Sequence, residues 1–144
     1  MKREDCIFCK IADGKIPCNK IYEDEKYIAI LDIVPYVKGH TLVIPKIHSR
    51  WVWDINEKDY VEYMKITKKL AIVLKKAFDT QWVEEVIAGI GISHSHIHLF
   101  PRKENDGLGE LPKKPLNPKP SEKEMKEIAE KIKIFSTIKS QEKK

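Results

Sequence analysis

The sequence predicts an α+β fold: an antiparallel sheet, one principal helix and a C-terminal helical appendage. Three observations carry that expectation. Tyr60, Met64, Thr67, Ala71, Leu74 and Phe78 recur at helical spacing and form one apolar stripe. Short β-branched and aromatic runs lie before and after that stripe, bounded by turn residues. A Gly/Pro-rich stretch then leads into a second amphipathic pattern.

Taken in order, residues 6–13 place apolar side chains at 7, 8 and 11, compatible with a short helical turn that Gly14 closes. Lys20 to Tyr22 and Tyr27 to Ile33 read as strands around an acidic turn, Glu23-Asp24-Glu25. Val34-Pro35 and Gly39 punctuate a loop, and Thr41 to Pro45 is a short apolar strand ending at a proline. Asn56 is placed to cap the long helix, expected over residues 56–79. Val83 to Ile92 is β-rich, interrupted by Gly89 and Gly91, and continues through Ser93 to Phe100. Asn105 to Pro120 holds two glycines and four prolines, so no regular structure is expected there. Ser121-x-x-Glu124 has the form of a capping box opening a last helix, with Met125, Ile128, Ala129 and Ile132 on one side. Two parts follow: residues 1–104 as the folded domain, and 105–144 as a Pro-rich linker and C-terminal helix on or near it.

Length and composition narrow the function classes. At 144 residues and 42% apolar content the chain suits a single packed core. No apolar run approaches the ~20 residues of a membrane span, and Met1 to Cys6 lacks the apolar stretch of a secretory leader. A soluble, cytoplasmic protein with no membrane partner is expected. Three cysteines argue against a disulfide framework. The net charge of +5 invites a nucleic-acid reading, but 27 basic residues face 22 acidic ones. Residues 103–144, with 11 lysines against 8 acidic residues, supply 3 of that excess, as a solvated face would. No basic stripe with interleaved aromatics appears, so no nucleic-acid partner is expected.

The five histidines are more informative, because they form two tight groups: His40 and His48, then His94, His96 and His98. In His94-Ser95-His96-Ile97-His98 the period is two. On a strand that puts all three imidazoles on one face, roughly 6.6 Å apart per residue pair. Each ring is a nucleophile, a metal ligand or an acid/base group near neutral pH. Two chemistries compete at this point: the histidines hold a catalytic zinc with an open position, or the central imidazole attacks substrate directly. Cys6-x-x-Cys9 is separately half of a zinc site, a redox pair or two buried thiols.

Several ordered blocks resemble the histidine-triad family of nucleotide hydrolases and transferases. They are Asp5-Cys6-Ile7-Phe8-Cys9-Lys10-Ile11, Ile16-Pro17, Tyr22 to Glu25, Leu31-Asp32-Ile33, Lys38 to Lys46 with His48, and His94 to Arg102. Together they span roughly residues 5–102. The resemblance implies a five-stranded antiparallel sheet carrying the 56–79 helix, and a homodimer. It implies a hydrolase or transferase cleaving at the α-phosphorus of nucleoside phosphoramidates or dinucleoside polyphosphates. His96 would be the nucleophile that carries a covalent nucleotidyl group, with His98 and His40 beside it. Asp32 would bind the ribose hydroxyls of a purine nucleotide, and Ile7, Phe8, Ile11, Ile30 and Ile33 would enclose the base. Cys6, Cys9, His48 and His94 would hold a structural zinc, with no organic cofactor. Arg102 would either steady phosphates or end the strand.

The chain departs from the family pattern ahead of the triad. Ile90 and Gly91 stand where many members carry Gln and Ser, no Asn-x-Gly precedes them, and Ser95 replaces the usual apolar residue. A nucleotide-binding regulatory module with weak or lost catalysis is therefore the competing function. Cys18 is expected to be semi-buried without a partner.

Overall fold

A computed structural model describes residues 3–142. The elements run α1 (Ile7–Ala12), β1 (Lys20–Glu23), β2 (Tyr27–Leu31), β3 (Thr41–Pro45), α2 (Glu57–Ala77), β4 (Trp82–Val86), β5 (Ile97–Arg102) and α3 (Glu122–Glu142). All five strands join one antiparallel sheet in the order β1-β2-β3-β5-β4. The α+β expectation is met.

Local chemistry sets the boundaries. Asp24 turns β1 into β2 by accepting hydrogen bonds from the amides of Lys26 and Tyr27, both at 2.8 Å. β2 stops at Leu31, two residues short of the expected Ile33. There Asp32 Oδ1 accepts the Val34 amide at 2.9 Å, and that tight turn pulls the chain out of the ladder. Asn56 caps α2 through the Asp59 amide at 2.9 Å, as expected. Ser121 caps α3 through the Glu124 amide at 3.1 Å, but the Glu124 carboxylate reaches Lys38 at 2.8 Å and ties α3 to the loop before β3.

The sheet separates two apolar layers. On one face Tyr27, Ala29, Leu31, Val43, Ile97 and Leu99 meet α2 and α3. The buried side of α2 is Tyr63, Thr67, Leu70, Val73, Leu74 and Ala77. Tyr60, Met64, Ala71 and Phe78, expected on that stripe, lie at its margin. The helix is thus rotated from the sequence reading, because α3 covers it from a second side. Met125, Ile128, Ala129 and Ile132 of α3 join this same layer. Tyr63 is fully buried and donates to the carbonyl of Val43 at 2.6 Å, satisfying a hydroxyl that burial would otherwise penalise. On the opposite face Ile28, Ile30, Leu42 and Ile44 meet Phe8, Cys9 and Ile11 of α1.

β5 begins at Ile97, so His94 and His96 precede the ladder rather than sit within a strand running on from Val83. The pairing of β3 with β5 ends at Val43↔Ile97, and the pairing of β4 with β5 at Val86↔His98. The Ser95 amide turns instead to the carbonyl of Ser49 at 2.6 Å. Cys18, expected to be semi-buried, is exposed in the connection between α1 and β1.

Candidate active site and metal centre

The α1 face of the sheet carries a transverse row, Ile30–Leu42–His98–Val86, fixed by the strand register. His40 lies at the head of β3 beside that row. Gly39 delivers it with φ of +87°, a conformation that L side chains rarely adopt. A Cβ at Gly39 would fall 2.5 Å from the Phe78 ring, so the end of α2 seats the turn that presents His40.

Hydrogen-bond partners order the protons on four of the histidines. The Tyr36 amide donates to His40 Nδ1 at 3.1 Å, so neutral His40 carries its proton on Nε2. That Nε2–H faces His98 Nδ1 at 2.9 Å, which places the His98 proton on Nε2 as an available donor. His96 donates from Nδ1 to the His94 carbonyl at 2.7 Å and keeps a lone pair on Nε2. His94 donates from Nε2 to the Pro45 carbonyl at 2.7 Å and keeps its lone pair on Nδ1.

Burial keeps these rings neutral. Desolvation pulls His40 down to about 3 and His98 to about 4, and the neighbouring imidazoles add to both shifts. Desolvation also lowers His96, partly opposed by its bond to the His94 carbonyl and by Asp32. Asp32 is itself raised by burial, which the Val34 amide and His96 counteract. Its carboxylate lies 3.5 Å from His40 Nε2. Rings of His96 and His98 are 5.0 Å apart, and Phe8 packs edge-on against His96 at 5.2 Å and His94 at 5.7 Å.

A second cluster lies behind His94. Donor atoms of Cys6, Cys9, His48 and His94 all fall within 4.8 Å of one another. His94 Nδ1 is 3.2 Å from Cys6 Sγ and 3.5 Å from Cys9 Sγ, and His48 Nδ1 is 3.4 Å from Cys9 Sγ. Bond lengths of about 2.3 Å to sulfur and about 2.05 Å to nitrogen make a tetrahedral S···N edge roughly 3.5 Å long. The observed separations match that edge. The His94 Nε2–H bond to Pro45 is the outer contact that aims a ligating ring. Burial pushes the Cys9 thiol up, and a divalent cation reverses that preference by holding the sulfurs as thiolates. The donor set fits zinc.

The sequence-derived residues lie in two groups and their surroundings. His40, His96 and His98 come together with Asp32, while Cys6, Cys9, His48 and His94 form the separate donor cluster. Phe8, Ile11 and Ile30 are buried in the α1 layer, whereas Ile7 and Ile33 are 47% and 72% exposed beside it. Arg102 resolves toward structure. All five of its N–H donors are used, by Asp106, Glu84 and the carbonyls of Gly109 and Glu110, and none remains for a phosphate. Sequence reasoning missed Tyr36 and Pro45, which act through backbone atoms that leave no residue-type signal.

The profile of the HIT domain matches residues 13–105. A HIT-like protein of Methanocaldococcus jannaschii is 43% identical over 106 residues, covering 71% of this chain and 82% of that one. An adenosine 5′-monophosphoramidase of Schizosaccharomyces pombe is 35% identical over 131 residues, covering 89% and 98%. A zinc-bound histidine-triad protein from Mycobacterium smegmatis superposes with a TM-score of 0.81 at 26% identity, over 95% of this chain and 96% of that one.

Proposed function

The chain belongs to the HIT-domain family, and on that premise we propose that it is a nucleotide hydrolase or transferase working through His96. The observation that carries the reading is the His96 ring itself. Its Nδ1–H is spent on a backbone carbonyl, no described residue pairs with its Nε2 lone pair, and burial favours its neutral form.

His96 Nε2 forms a bond to the α-phosphorus of a nucleoside phosphoramidate or dinucleoside polyphosphate. The bond to the departing group breaks, and that group leaves with the electron pair and takes a proton from water. The nucleotidyl imidazole is cationic, and the His94 carbonyl on its Nδ1–H stabilises that charge. Water then adds at phosphorus, releases a proton, and returns the electron pair to Nε2. His98 Nε2–H donates to a phosphoryl oxygen, its proton held in place by the Tyr36–His40 relay. Asp32 accepts from ribose hydroxyls, and exposed Ile7 and Ile33 take up the purine over Phe8, Ile11 and Ile30. The named activity of the fission-yeast relative supports a phosphoramidate substrate.

Cys6, Cys9, His48 and His94 hold a structural zinc in this reading, with no organic cofactor. Bound there, zinc would supply a closed cross-link and no open coordination position. The zinc-bound mycobacterial relative supports it. A homodimer is supported by the edge strand β4 and by exposed Trp82, Ile87 and Ile90 around it. Residues 105–144 complete the 1–104 domain, supported by the α3 side chains within its core. Among the described residues no helix is long and apolar enough to cross a membrane, and the free cysteines suit a cytoplasmic setting.

The test is steady-state hydrolysis of adenosine 5′-phosphoramidate. Wild-type turnover with at least 1,000-fold loss in His96→Asn is expected, on the order of a removed nucleophile. Equal turnover by the two proteins overturns the reading. Exposed Ile90 and Gly91, where the family pattern is polar, favour a second reading as a nucleotide-binding regulatory module. AMP binding with no turnover across a substrate panel would establish that one.

A further inference from the structure

The proposed site is short of positive charge. Burial favours the neutral form of His40, His96 and His98, and Asp32 adds a carboxylate. Arg102 has every N–H engaged elsewhere, and Ile90 and Gly91 offer no side-chain donor. A nucleotide phosphate is anionic, and the donors that hold such a group best are themselves charged.

A cation comes from the segment after β3. That segment runs beside the histidine run in the same sense. The His48 ring packs on the His94 ring with centroids 4.9 Å apart, and the Ser49 carbonyl accepts the Ser95 hydroxyl at 2.9 Å and the Ser95 amide at 2.6 Å. The next pair in that register is Arg50 and His96. Arg50 Nη1 donates to the carbonyl of Gly89 at 2.7 Å, on the loop that leads to the histidines. Its guanidinium lies 3.6 Å from the centroid of the Trp51 ring, over its face. Trp51 in turn lies against Gly89, where φ is +77° and a Cβ would fall 2.9 Å from the indole. These two contacts fix the plane of the guanidinium. Of its five N–H donors one is spent on Gly89, and the rest have no partner among the described residues. No described carboxylate pairs with it either. The side chain is half-buried, so solvent screens its charge only in part. That charge reaches His96 and helps to lower it.

We propose that Arg50 is a phosphate-binding residue, its guanidinium pinned by Gly89 and Trp51 so that its remaining N–H groups meet the phosphoryl oxygens of a nucleotide held at His96. The inference rests on the proposed function and goes beyond it by assigning the cation. A pinned guanidinium forks onto two phosphoryl oxygens, which an ammonium does not. It offsets the phosphate charge while the imidazole beside it stays neutral. Arg50 thus supplies from another segment what side chains 90 and 91 do not.

The experiment measures the affinities of AMP and of adenosine by calorimetry, together with kcat/KM for adenosine 5′-phosphoramidate. Arg50→Gln keeps an N–H for the Gly89 carbonyl and removes the charge. It should weaken AMP about 30-fold, the scale of a lost charge-assisted hydrogen bond, and leave adenosine within about twofold. The value of kcat/KM should fall at least as far as the AMP affinity. Lys26 lines a cleft with Arg50 but is paired with Asp59 and Glu62, so Lys26→Gln should leave both affinities unchanged. Thermal unfolding shows whether each variant is folded. If Arg50→Gln is not, Arg50→Lys takes its place, with a drop of about fivefold expected for AMP alone. An Arg50 that only braces the Gly89 loop would weaken both ligands alike, or lower Tm with the ratio of AMP to adenosine affinity intact. Either outcome, or an equal loss of AMP affinity in Lys26→Gln, overturns the inference while the proposed function stands. Absence of both turnover and AMP binding in wild type overturns the proposed function and the role of Arg50 with it. Binding without turnover leaves the affinity ratio as the readout, with the same expected drop.

Discussion

The carbonyl of His94 accepts the Nδ1–H of His96 at 2.7 Å, while the ring of His94 points its Nδ1 at two cysteine sulfurs. One residue therefore belongs to both clusters. Its side chain is held by the donor set, and its backbone sets the tautomer of the neighbouring imidazole. Removing a donor is expected to be felt at the His96 ring as well as in stability.

Cys9→Ser tests that link. Equimolar zinc should be found in wild type by elemental analysis and be absent from the variant. The loss of a structural ligand should cost about 3 kcal/mol, a fall in Tm of roughly 10 °C for a chain of this size. A strong chelator should lower the Tm of wild type and leave that of Cys9→Ser unmoved. An unchanged metal content would show that the cysteines are not ligands.

Gly39→Ala should damage fold and site together. The position needs φ of +87°, and the added Cβ would meet the Phe78 ring at 2.5 Å. A cost of about 2–4 kcal/mol is expected in urea unfolding. Phosphoramidate turnover should fall as well, because the same turn seats His40. Phe78→Ala in the same chain should recover part of the turnover by removing the clash, though not the backbone strain.

Histidine burial fixes the sign of the pH dependence. His40 titrates at about 3 when folded, against an ordinary value of about 6.5. Between these values the unfolded chain binds the extra proton, so stability is complete above about 6.5 and declines as the pH falls toward 3. At pH 5 the share from His40 is on the order of 2 kcal/mol. Urea unfolding of wild type and His40→Gln at pH 7.5 and 5.0 isolates it, since any metal-linked loss is common to both. A difference that does not change with pH would contradict the burial argument.

Much of this arrangement was legible in residue order. The clustering of five histidines, the Cys6-x-x-Cys9 spacing and the Asn56 cap each rest on local patterns that survive folding. The ordered blocks named the family. What could not be read comes from contacts between distant segments. The α2 stripe is rotated because α3 packs across it. Arg102 proves structural because Asp106 and Glu84 close on it from a loop and a neighbouring strand. The histidine run leaves the ladder because Ser49, 46 residues away, takes the Ser95 hydroxyl at 2.9 Å and its amide too. Tautomers depend on the Tyr36 amide and the Pro45 carbonyl, backbone groups that nearly every residue type supplies; only proline at position 36 would fail.

Trapping the covalent state tests the central claim most directly. The protein is mixed with adenosine 5′-phosphoramidate, quenched within milliseconds under alkaline denaturing conditions that preserve a phosphorus–imidazole bond, and measured by intact and peptide mass spectrometry. The account predicts a gain of one adenylyl group that maps to His96, is lost on brief acid treatment and is absent from His96→Asn. Turnover with no adduct at any quench time, or an adduct carried by another residue, would contradict it.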